Sequence, residues 1–223
     1  MFNLIRLEMK KESLKWYGLG AIIANLLILV LIIPIQYDEK ITLDEMFVIL
    51  GALIRAVFIV FAAVLLSKLI IDEYRSKTIY LMYTYPIQRK KLIAAKLLLA
   101  GTLTFITIAI SSVFVATVYS IAHNMFQLST EEIPVQRLLL EIMSMLKFAI
   151  AAAGASLIPL YFGLRKRSVS ATIISSLLIV AVLSQSNPWL PIADNMYVAL
   201  AFAAIGVLIA FWTIRNVDKM DAI

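Results

Sequence analysis

Few residues in this 223-residue chain could do chemistry, and they are unevenly spread. Arg55, Glu141 and Lys147 stand inside long apolar runs. A charge at mid-bilayer costs about 3 kcal/mol on insertion scales, so such residues face protein or water. Arg55 therefore has two readings. In one it lines a substrate cavity, with Asn25 as a second polar contact. In the other it belongs to an intramembrane ion pair, with Glu141 as the acid and Arg55 or Lys147 as the base, or snorkels toward the outer surface. The other polar groups in spans (Asn25, Ser111, Ser112, Ser175, Ser176) suit helix packing. The chain has no Cys, which excludes disulfides and thiolate metal sites. Its single His123, read as a loop residue, leaves too few nitrogen ligands for a His-based site, so no metal is expected.

The densest set of reactive groups is the stretch 71–96. It holds Asp72, Glu73, four tyrosines between Tyr74 and Tyr85, Pro86, and the cations Arg89, Lys90 and Lys91. Pro86 ends one short helix, because the residue before a proline avoids α geometry. It is also well placed to start the next. Tyr80, Met82 and Tyr83 on that short helix have two fates. They lie in the lipid headgroup region, or they fill a protein interface, where aromatic and Met side chains are enriched.

Around this stretch the chain is written in apolar letters: 62% hydrophobic against 15% charged. Soluble domains carry about a quarter charged residues, and about 20 apolar residues cross a bilayer core. The composition predicts an all-α polytopic membrane protein, since helices satisfy their own backbone hydrogen bonds in lipid. Six transmembrane helices are expected, at about 16–35, 46–70, 97–122, 138–163, 169–183 and 196–214. The fourth apolar segment is too long for one perpendicular crossing, so part of it is tilted or interfacial. Residues 1–15 place Phe2, Ile5 and Met9 on one helical face and Asn3, Arg6 and Lys10 on another. This suits an N-terminal amphipathic helix at the membrane surface.

Six crossings put both termini on one side. Sixteen of the twenty Lys and Arg fall on that side, two (Lys40, Arg137) on the other and two (Arg55, Lys147) within spans. By the positive-inside rule both termini and the 71–96 elbow are cytoplasmic. The formal net charge of +6 is then a topology signal, and no nucleic-acid partner is expected.

Glu73, then Lys77–Thr78–Ile79, then Tyr85–Pro86–Ile87–Gln88–Arg89, then Leu92 and Lys96, resembles the elbow of permeases of the ABC type two exporter class. The resemblance covers essentially the whole chain, with its specific residues in the elbow; Lys77 stands where many members have Gly. It implies a coupling helix docked on a separate ATPase, with Glu73 and Arg89 at its ends and Tyr80 and Tyr83 in the groove. Lys77, Thr78 and Pro86 would shape its turns. It further implies two copies of an ABC ATPase subunit, a second permease chain (identical or paralogous) and a bacterial cytoplasmic membrane. ATP and Mg would be bound by the ATPase and no cofactor by this chain, which lacks a GxxxxGK[ST] phosphate loop. The expected function is a non-enzymatic exporter subunit for a hydrophobic or amphipathic substrate: peptide, antibiotic or lipid. The alternative is an ion-gradient-driven six-span carrier or channel, which would carry acidic residues deep in several spans. Glu131–Glu132 with Arg137 also resembles the EExxxR motif of membrane-embedded CAAX proteases. The spacing is one residue too long, and the further His residues are absent.

Overall fold

The computed structural model describes residues 14–38, 42–75, 89–126, 133–183, 186–187, 190–191 and 195–220. The surface helix expected before residue 14 and the coupling helix expected within 76–88 lie outside them. The described chain is helical apart from a two-residue antiparallel pair, Ser186–Asn187 with Leu190–Pro191. Five helical stretches are long and apolar enough to cross a membrane: Trp16–Ile35, Leu43–Ile71, Lys90–Phe126, Val135–Lys166 and Met196–Asn216. A sixth apolar helix, Val169–Leu183, has 15 residues, about 22 Å at 1.5 Å per residue. The protein is an all-helical, polytopic membrane protein.

Helix α1 (Leu14–Asp38) runs through Pro34 and does not close there. Helix α2 (Leu43–Leu66) starts earlier than the apolar run suggests, because Thr42 and Glu45 form a reciprocal capping box. Its last turn widens into a π-helical segment, Ser67–Ile71, which continues as α3 (Asp72–Arg75). Helix α4 (Arg89–Phe126) is a continuous 38-residue rod. It takes in His123, which is buried beside Tyr119 in the last turn rather than lying in a loop.

The fourth apolar segment divides into α5 (Val135–Ala155) and α6 (Pro159–Lys166). Pro159 cannot donate to the carbonyl four residues back. Residues 156–158 instead close tight i→i+3 turns, Leu157 N–H to Gly154 and Ile158 N–H to Ala155. Arg167, at φ 45°, ends α6 in the left-handed conformation and reverses the chain into α7 (Val169–Leu183). Helix α8 (Met196–Met220) closes the bundle against α5.

Among the described residues, the two larger of three core clusters stack along the bundle. One joins α1, α2, α4 and α5 through Ile32, Phe47, Leu50, Ile54, Phe58, Tyr119 and Met145. The second lies at the elbow end, where Leu66, Leu69, Ile70, Ile93, Leu97, Leu160 and Ala210 meet. The seam between α5 and α8 needs glycine. A Cβ on Gly206 would lie 2.0 Å from the Gly154 carbonyl oxygen, and one on Gly154 would lie 2.7 Å from the Ala203 Cβ.

Candidate functional site

The two arms of the elbow meet where α2 becomes π-helical. In a π turn the backbone bonds run i→i+5, and the Asp72 N–H accordingly reaches the Ser67 carbonyl. Such turns interrupt the regular ladder and concentrate at functional positions. Here the Leu69 carbonyl accepts a hydrogen bond from Lys96 Nζ at 2.8 Å. The same ammonium donates to Glu73 Oε2 at 2.6 Å. Lys96 is 0% exposed and Glu73 7%.

This pair is a clamp between α4 and α3, the continuation of α2 beyond its π turn. A charge taken from water pays a desolvation cost of several kcal/mol, offset only when its partner and hydrogen bonds are well placed. Lys96 reaches that position because Ile93, Ala95 and Leu97 around it are buried, which carries its stem inward. The resemblance expects Glu73 at an end of the coupling helix. Its carboxylate is turned into the bundle, so it fixes the base of the elbow. The positive-inside count places Lys96 among the charges of the cytoplasmic elbow; it lies two turns into α4, which buries it.

Of the other elbow residues, Lys77, Thr78, Tyr80, Tyr83 and Pro86 lie outside the described residues. The backbone of Arg89 opens α4.

The charges within spans are arranged differently from one another. Arg55 and Lys147 each lie twelve residues into their helices, yet on different surfaces. The Arg55 guanidinium stacks over the Phe148 ring, 4.6 Å from its centroid, a cation–π contact. It folds back one turn over Gly51, the direction in which helical side chains lean. Arg55 and Glu141, with Ser144, Met145 and Phe148, line one cavity of about 160 Å³ between α2 and α5. Lys147 is exposed, in a stripe with Leu140, Met143 and Ile150. Asn25 is buried in the seam between α1 and α4, where its Nδ2 donates to Ser111 Oγ at 2.9 Å. Ser112, Ser175 and Ser176 donate to backbone carbonyls of their own helices. Farther out, Arg137 pairs with Asp44 and joins the starts of α5 and α2. Among the described residues no cluster of three or more His, Asp or Glu could hold a metal.

A bundle of long apolar helices with a pinned elbow and a small polar chamber defines a polytopic membrane protein. A family profile described as ABC-2 family transporter protein matches residues 4–183, and the chain belongs to that family. It is also 44% identical to YcbO of Bacillus subtilis (strain 168), a protein described as uncharacterized, over 99% of this chain and all of that protein. No solved structure matches the chain. The family membership makes this protein an ABC-type permease component of a membrane, and it implies an ABC ATPase partner.

Proposed function

We propose that this chain is the membrane-spanning subunit of a bacterial exporter driven by a separate ATP-hydrolysing subunit. Two ATPase copies, which bind the ATP and Mg, act on a pair of permease chains, identical or paralogous. The substrate is hydrophobic or amphipathic, of the peptide, antibiotic or lipid class. Both termini and the elbow face the cytoplasm. Lys77, Thr78, Tyr80, Tyr83, Pro86 and Arg89 take up the movement of the ATPase.

The observation that carries this reading is the buried Glu73–Lys96 pair at the elbow's base. A loop that only joined two spans could hinge freely. A loop pinned at its root to the rigid rods α2 and α4 passes displacement into both. Arg55 over Phe148 then presents a fixed cation to the chamber it shares with Glu141, open to an anionic group of a passing substrate.

The test is affinity purification from the native membrane, followed by reconstitution with whatever phosphate-loop protein accompanies the chain. Candidate substrates should stimulate ATP hydrolysis, and Tyr83→Ala with Arg89→Glu should abolish the stimulation while both subunits remain folded. Transport of solute by the purified chain alone, under an ion gradient and without any ATPase, would refute the proposal.

A further inference from the structure

A second cavity lies on another side of the bundle. About 620 Å³ of space opens between α4, α5 and α8, walled by Leu98, Gly101, Phe105, Ile150, Val207 and Phe211. Its one hydroxyl, on Thr102, already donates to the Leu98 and Leu99 carbonyls. The wall therefore offers no unused hydrogen-bond donor, and a polar solute would lose its hydration there without recompense. The volume is roughly four times the ~150 Å³ that admits a benzene ring, room for a long hydrocarbon chain. From Ala94 to Phe105 the groove follows three turns of α4, about 17 Å. That is close to half of a ~30 Å hydrocarbon core, the depth of one leaflet.

Cations stand at one end of the groove. Lys91 lies one turn before Ala94, on the face that continues to Leu98. Arg215 lies one turn after Phe211 and next to Ile214. Both are exposed. Lys96, a further cation of α4, is committed to Glu73 and Leu69.

We propose that this groove binds one anionic phospholipid from the leaflet that meets the basic end of the bundle. One acyl chain lies against Gly101, and the phosphate rests between Lys91 and Arg215. The committed occupant is a lipid because the groove is apolar, one leaflet deep and more cationic at its Ala94–Ile214 end, with Lys91 and Arg215 there against the single Lys147 one turn beyond Ile150; a helix from a second copy would need no such end charge. Basic sites between helices at the membrane surface recognise anionic headgroups in this way.

The test uses the purified full-length chain in detergent, exchanged into 3:1 phosphatidylcholine–phosphatidylglycerol nanodiscs and released for native mass spectrometry. One phosphatidylglycerol should be retained per chain in preference to phosphatidylcholine. Gly101→Phe should remove the retained lipid. The first atom of the new side chain meets no obstacle, since a Cβ on Gly101 has nothing within 4 Å. Lys91→Gln with Arg215→Gln, at two exposed positions, should keep a lipid but lose about fivefold of its anionic preference per charge removed. Unchanged retention in Gly101→Phe, or equal retention of both lipids by the unsubstituted chain, would overturn the proposal. So would a Leu98→Cys chain that forms disulfide dimers in the bilayer, since a second copy would then fill the groove. None of these readouts requires ATP hydrolysis, so they stand or fall apart from the transport reading.

Discussion

Lys96 sits between Ala95 and Leu97 in a mostly apolar helix, and its charge is kept in place by two acceptors, one in the π segment and one in α3. Lys96→Met would leave Glu73 buried without its cation. Breaking one partner of such a pair costs about 3–5 kcal/mol, and thermal unfolding in detergent should report a loss of that size. The double substitution Glu73→Met with Lys96→Met should recover most of the stability, because a buried ion pair replaced by apolar groups is often neutral. If the clamp transmits movement, the double variant still loses ATP-driven transport although it is folded. Arg55→Met should abolish transport while lowering stability by only about 1–2 kcal/mol, the scale of a desolvated cation–π contact. Intact transport with reduced thermal stability would remove Arg55 from the substrate path and leave it a structural role.

Two glycines in apolar helices predict opposite responses to the same kind of change. At Gly206 an added methyl meets the Gly154 carbonyl oxygen of α5 at 2.0 Å, so Gly206→Ala must push α5 and α8 apart. Overpacking of this kind costs about 1–3 kcal/mol. At Gly101 nothing lies within reach, and Gly101→Ala should be neutral or stabilising by up to about 1 kcal/mol, from helix propensity alone. Denaturation of the pair under identical detergent conditions checks both signs. The break between α5 and α6 has a similarly local origin, in the missing N–H of Pro159. The π turn at Ser67–Ile71 has no proline or glycine to announce it; it becomes intelligible only beside Lys96, which uses the carbonyl of Leu69.

For the whole molecule, the absence of Cys permits single cysteines to be placed without background. Cysteines at 83, 167 and 216 should react with a membrane-impermeant thiol reagent only after the inner face is exposed. Cysteines at 40 and 187 should react from outside intact cells. Labelling of position 83 from outside would invert the assignment of the elbow and, with it, the docking of an ATPase. The short α7 measures about 22 Å by length, so a crossing by it would require local thinning of the bilayer or cover of its ends by α2 and α6, both of which it contacts.

The class of all-helical membrane protein was legible before any folding, because it rests on apolar content, a quantity that adds along the chain. Apolar run length marks the candidate spans, and the distribution of Lys and Arg predicts a sidedness that the labelling above tests. The family, too, was legible in the order of a few elbow residues. What the chain order could not specify was which polar groups meet. Glu73 and Lys96 are 23 residues apart, Asn25 and Ser111 are 86, and Arg55 finds Phe148 on another helix altogether. The rotation of each helix about its axis settles such meetings. With most residues apolar all round, as in α4, the sequence carries little rotational signal, so close packing at Gly154, Gly163 and Gly206 decides which face turns inward.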